Sequence, residues 1–188
     1  MKNFKSIALA LVALVTFTAT AQKSKKVDAS KSTINWVGKK VTGAHEGTIS
    51  LKEGALIFKG KKLVGGNFTV DMTTINTTDL SGKGKTNLDG HLKSDDFFGV
   101  EKFPTATLVI KSIGDKGNGV YSATADLTIK GKTESIKFDL TVAGNTATTT
   151  LKVDRTKYDI KYGSGSFFSD LGDKTIYDDF ELTVKLAI

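Results

Sequence analysis

Cysteine is absent from this chain of 188 residues. That excludes disulfide scaffolds, thiol nucleophiles, thiolate metal sites and lipid anchors carried on a cysteine. Histidine is almost absent. His45 and His91 are the only two, so no metal centre can be built from several imidazoles. Proline occurs once, at Pro104, so turns must rely on Gly, Asn and Asp. Arg155 is the only arginine. The net charge of +7 is therefore carried by lysines, and these are spread along the chain. Lysine lacks the planar fork that reads bases and phosphates, so a solvated basic surface is expected and a nucleic-acid partner is not. Trp36 is the only tryptophan, which leaves no groove of stacked indoles for a sugar chain. Pro-rich tracts and blocks of like charge are missing too. With 39% hydrophobic residues the chain has enough apolar material for one core.

What is present begins with an address. Lys2 and Lys5 precede an uncharged stretch, Ser6 to Ala21, whose apolar centre runs from Ile7 to Val15 and which ends in Ala19-Thr20-Ala21. A positive start, a short apolar centre and a small-residue exit predict a signal peptide over 1–21, cleaved near Ala21. The apolar part is shorter than the roughly 20 residues of a spanning helix. The expectation is a periplasmic or secreted protein with no stable membrane anchor, made of a single domain over 22–188. Gln22 to Lys26 is polar and is expected to fray.

From Thr33 onward the dominant period is two. Apolar residues alternate with polar ones at Ile34 and Trp36, at Phe68, Val70 and Met72, and at Ala106, Leu108 and Ile110. The same pattern runs from Tyr121 to Ile129 through Leu127, from Ile136 to Val142 through Phe138 and Leu140, and from Phe180 to Leu186 through Leu182. Leu151 and Val153 follow a threonine run. Such alternation marks half-buried antiparallel strands with one face inward. Turn signals separate the runs at Lys52-Glu-Gly54, Gly60-Lys-Lys62, Gly114 to Gly119, Lys130-Gly-Lys132 and Gly144-Asn145. Two segments break the rhythm, Thr77 to Phe103 and Tyr158 to Asp179. In the first, Lys85 to Leu92 is expected to form a short helix and Asp95 to Phe98 a single helical turn. About eight strands with no long helix to cover them must close on themselves or fold double, so an all-β barrel or sandwich is expected.

No constellation for chemistry emerges. Ser81-Gly-Lys-Gly-Lys-Thr86 mimics the end of a phosphate loop, but Asp79 stands where its first glycine belongs and no parallel strand feeds it. The acids Asp95, Asp96 and Glu101, and likewise Asp178, Asp179 and Glu181, cluster without the spacing of a calcium loop, so no metal is expected. Gly163-Ser-Gly-Ser166 is not a nucleophile elbow. Asp154-Arg155 reads as a structural ion pair at a strand end. The oddities are aromatic: Phe97-Phe98, Phe103 and Phe167-Phe168 sit in the irregular segments, where bulky apolar groups either plug a core or line a pocket mouth.

The run His91-Leu-Lys-Ser-Asp-Asp-Phe-Phe-Gly-Val-Glu-Lys-Phe-Pro-Thr-Ala-Thr107 resembles the signature of the YceI-like polyisoprenoid-binding family. The resemblance continues in Ala125 to Thr133, in Asp154 to Ile160 and in Phe180 to Leu186, and covers about Val27 to Ile188. Gly99 departs from it, standing where the family more often has Asp. The resemblance implies an eight-stranded antiparallel lipocalin-like barrel, here with one or two short helices in the long loop. It also implies a bound isoprenoid lipid of quinone or polyprenyl type as the ligand, no other cofactor, and no enzyme activity. The apolar faces then make Trp36, Phe68, Val70, Met72, Leu108, Ile110, Leu127, Ile129, Phe138, Leu140, Phe180 and Leu182 the candidate pocket lining, with Phe97, Phe98, Phe103 and Phe168 from the loops. His91 and Lys93 are the candidates for a head group. The expected function is an exported carrier or store of the lipid. The alternative is an interaction module whose barrel is filled by side chains, since eight strands enclose room for either. A hydrolase using the acid clusters is the other rival, and pairing of two barrels into a homodimer stays open.

Overall fold

The structure is a computed structural model and describes residues 21–188; all but the last residue of the expected signal peptide lies outside them. Among the described residues nine strands and one α-helix follow in chain order: β1 (Gln22–Lys26), β2 (Asp28–Lys40), β3 (Gly43–Lys59), β4 (Lys62–Thr77), α1 (Gly82–Lys93), β5 (Thr105–Gly117), β6 (Val120–Ile129), β7 (Lys132–Ala143), β8 (Thr146–Asp154) and β9 (Ile176–Ala187). Every ladder is antiparallel. Neighbours pair in sequence from β2 to β9, and β9 pairs back onto β2. The sheet therefore closes into a barrel of eight.

The ninth strand is the broken start of the first. β1 pairs with the second half of β3, Lys26 opposite Ala55, while β2 pairs with its first half, Ile34 opposite Ile49. Between them Asp28 draws the chain off the ladder by accepting from the Ser30 amide at 3.1 Å. Gln22–Lys26 does not fray as expected. Its five residues all pair with β3 while their side chains stay largely in water. A strand held only by its backbone leaves no apolar signal in sequence.

The turn residues mark the β3–β4, β5–β6, β6–β7 and β7–β8 hairpins, while the β2–β3 hairpin at Val41-Thr42 carried no such signal and one marked turn is absent. Lys130-Gly131 and Asn118-Gly119 are two-residue turns with positive φ at both positions, which matches the right-handed twist of the flanking strands. Lys52-Glu-Gly54 is not a turn. It lies inside β3 at a register shift, and Gly54 is there because the Phe68 ring occupies the place a side chain would take: a Cβ would stand 2.5 Å from Phe68 Cδ1. That bulge interrupts the alternation of β3 and masks the longest strand of the fold.

The two irregular segments meet at one end of the barrel. α1 is longer than Lys85–Leu92 and is pinned to β4 by Lys85, whose ammonium donates to Asn76 Oδ1 at 2.6 Å and Asp89 Oδ2 at 2.9 Å. Asp95–Phe98 forms hydrogen-bonded turns, with no helix. β9 begins at Ile176, before the run at Phe180 that announced it. The interior divides into two apolar clusters. Leu56, Leu63, Tyr121, Ala123, Ala125 and Leu186 belong to the one at the hairpin end. Phe97, Ile129, Val153, Tyr158 and Ile160 belong to the one under the loops.

One seam is thin. β7 and β8 pair only over Thr141–Ala143 and Thr146–Thr148. Beyond that, Thr149 Oγ1 donates to the Asp139 carbonyl at 2.7 Å and the strands part. Ile136 and Phe138 face inward there, yet remain half-exposed.

Candidate functional site

The side chains do not fill the barrel. A cavity of about 200 Å³ runs along the axis from Leu186 and Leu140, near the hairpin end, to Arg155 and Ile176 under the loops. A single water needs about 10–15 Å³ of such space, so this is room for a ligand-sized body.

The structure brings the alternating strand faces together around this cavity. Trp36, Phe68, Val70, Met72, Leu108, Ile110, Leu127, Ile129, Phe138, Leu140, Phe180 and Leu182 all face the cavity, and Phe97 and Phe98 close it from the loop. Two aromatics stand elsewhere. Phe103 is folded back over the β6–β7 hairpin, where a Cβ on Gly131 would meet its ring at 3.0 Å. Phe168 lies on the surface, 52% exposed. A loop residue has no alternating face to report its direction. The candidate head-group residues are also outside the lining. His91 packs edge-on against Phe97 at 4.8 Å and Tyr162 at 4.5 Å, joining the two long loops, and its Nε2 lies 3.4 Å from Asp96. Lys93 holds the following turn through its carbonyl, which accepts from the Val100 amide at 3.0 Å.

Further residues complete the wall. Ile34, Leu151, Val184 and Leu186 sit on faces whose period is visible in the sequence and extend the same surface. Ile49 and Leu51 are hidden with β3, whose alternation the bulge interrupts. Trp36 lies across Gly47, and its Nε1 donates to the Thr48 carbonyl at 3.2 Å. The polar rim is made by Gly38 and Lys39 of β2 with Tyr177 and Asp179 of β9, where a register shift loosens that ladder.

Arg155 is the charged residue that sequence reasoning missed. It is 4% exposed, lines the cavity and lies 6.0 Å from the Phe97 ring centroid. It does not pair with Asp154, whose carboxylate instead accepts from the Thr156 amide at 3.0 Å. Its partner is Asp178, at 3.6 Å, brought there by β9. Its side chain donates to the carbonyls of Tyr177, Ile160 and Ile176 at 3.1, 2.8 and 3.0 Å. Burial lowers the Arg155 pKa, and the Asp178 and Asp154 charges oppose that shift. Burial works against the Asp178 charge, but serine hydroxyls and the guanidinium hold its carboxyl below the ordinary range. Only tertiary contact could have revealed this pair.

The acid clusters are engaged by cations. Asp95 pairs with Lys102 at 2.6 Å, Asp179 with Lys152 at 2.9 Å and Glu181 with Lys39 at 2.8 Å. Among the described residues no group of three or more His, Asp or Glu is placed to hold a metal ion. A second recess, polar and about 280 Å³, opens in the β7–β8 seam beside Glu134, Lys152 and Tyr158.

A closed eight-stranded antiparallel barrel around an apolar axial cavity defines the class: a lipocalin-like barrel. Within that class the chain belongs to the YceI-like family, whose domain model matches residues 26–188. A UPF0312 protein of Shewanella denitrificans is 37% identical over 84 residues, which is 45% of this chain and 42% of that protein. The chain thus matches less than half the length of that curated relative. Among solved structures, Burkholderia cenocepacia BcnA superposes with a TM-score of 0.65 at 24% identity, over 86% of this chain and 99% of that one. A polyisoprenoid binding domain from Saccharophagus degradans, implicated in plant cell wall breakdown, gives 0.58 at 15% identity, over 86% and 95%. At these identities the likeness carries the fold.

Proposed function

We propose that the protein is an exported carrier or store of one long polyisoprenoid lipid, of quinone or polyprenyl type, whose tail lies in the barrel cavity. The observation that carries this reading is the open, almost wholly apolar cavity along the axis of a closed barrel. An apolar tail needs no polar partners. At roughly 0.8 kcal/mol for each buried CH₂, tail burial alone supports tight binding. The structural neighbour described as a polyisoprenoid binding domain supports the ligand class. The basic start, apolar centre and Ala-Thr-Ala exit of the first 21 residues support export. As a binder the protein performs no reaction of its own.

The test is native mass spectrometry of the protein purified from its own host, followed by organic extraction. The expected spectrum shows an added mass that extraction releases as a species built of five-carbon units. The same spectrum reads the cleavage site and separates monomer from homodimer. A protein that is empty and takes up no long-tailed quinone or prenol overturns the reading in favour of an interaction module.

A further inference from the structure

The carrier reading explains an apolar cavity and does not explain why that cavity ends on a buried guanidinium. Arg155 is the one arginine of the chain, 4% exposed, and part of the wall at the loop end. A guanidinium has five N–H groups. Three are used on the carbonyls of Tyr177, Ile160 and Ile176. The carboxylate of Asp178 lies 3.6 Å from Nη2, beyond good hydrogen-bond distance, and its buried Oδ1 receives no hydrogen bond. The guanidinium thus has N–H capacity left over, while its charge is balanced from within the protein.

We infer that Arg155 receives the head of the lipid, and that the Arg155–Asp178 pair selects a neutral oxygen head, a quinone carbonyl or a prenol hydroxyl, over a phosphorylated one. The inference rests on the carrier reading and adds the head-group class to it. A neutral oxygen accepts a charge-assisted hydrogen bond from Arg155 and loses little hydration on entering. A diphosphate must shed a large hydration free energy to enter an apolar cavity. What it meets there is a pair of zero net charge, in which Asp178 repels what Arg155 attracts. The one lysine of the rim does not compensate, since Lys39 is already paired with Glu181 at 2.8 Å.

The experiment uses three probes that share one geranylgeranyl tail: a menaquinone, the free alcohol and the diphosphate. Trp36, the sole tryptophan, lines the cavity and reports quinone binding by fluorescence quenching, and the other two are measured by displacing the quinone. The native protein is expected to bind the quinone and the alcohol at least about tenfold more tightly than the diphosphate. Asp178→Asn removes the internal counter-charge and is expected to shift the alcohol-to-diphosphate ratio by about tenfold toward the diphosphate. A loss of stability weakens all three alike, so the ratio reads the head group alone. Arg155→Lys keeps the charge without the fork and is expected to weaken the quinone and the alcohol together. Equal binding of all three probes to the native protein, or an unchanged ratio in Asp178→Asn, overturns the inference and leaves the carrier reading standing. Failure of every probe to bind removes the carrier reading, and the inference with it.

Discussion

Gly38 offers a direct way to shorten the space that a tail would occupy. It stands in the cavity wall between His45 of β3 and Phe180 of β9. Nothing lies within 4 Å of where its Cβ would be, and its backbone is not left-handed. Gly38→Phe therefore adds a ring to open space without backbone strain. The ring takes up room comparable to one isoprene unit. At about 0.8 kcal/mol per buried carbon, displacing five carbons costs about 4 kcal/mol, close to a thousandfold in Kd. A tail that slides along the axis to avoid the ring exposes the same number of carbons at its other end, so the loss persists. Stability is expected not to fall, because the ring enters space that no protein atom occupies. Quenching of Trp36 by a long-tailed quinone measures the first effect and thermal unfolding of the empty protein measures the second. A variant with unchanged Tm and a Kd within about threefold of the parent shows that the tail does not pass Gly38. A lowered Tm shows that the space is not free. Either result refutes the reasoning.

Gly47→Ala is expected to cost about 1–3 kcal/mol and to shift Trp36 emission, because its Cβ would meet the Trp36 ring at 2.5 Å and the Asn76 carbonyl as well; an unchanged melt and spectrum contradict this. Tyr158→Phe removes a buried hydroxyl that has no partner and whose pKa burial pushes up to about 12, so Tm is expected to rise by about 2–4 °C, and a fall would reveal a hidden partner. Burial works against the Asp89 charge, yet hydrogen bonds from Thr77 and Lys85 hold its carboxyl below the ordinary 3.8. A depressed carboxyl pKa adds stability above 3.8 that is lost as pH falls through the lower folded value. Asp89→Asn should therefore lower Tm at neutral pH and converge on the parent at acid pH; a constant difference across the titration would mean that ionisation plays no part.

Strand faces are legible in the sequence because a pleated strand repeats every two residues. Burying one face writes that period into residues such as Phe68, Val70 and Met72, or Leu127 and Ile129. The same period accounts for most of the cavity wall. It fails where side chains do not carry the pattern. β1 is held by backbone pairing alone, β3 is interrupted by the bulge at Lys52, and Phe103 and Phe168 lie in loops with no period.

Composition and local spacing are enough to define an all-β chain with one apolar face, a basic polar exterior and no cysteine, histidine or acid constellation for chemistry. Each residue carries these properties wherever the chain goes. Three features arise only from tertiary structure: β9 returns to β2 to close the barrel, a cavity stays open along its axis, and Arg155 meets Asp178 instead of its neighbour Asp154. Closure, emptiness and a long-range ion pair depend on how distant strands are brought into register, and no local pattern records that sum.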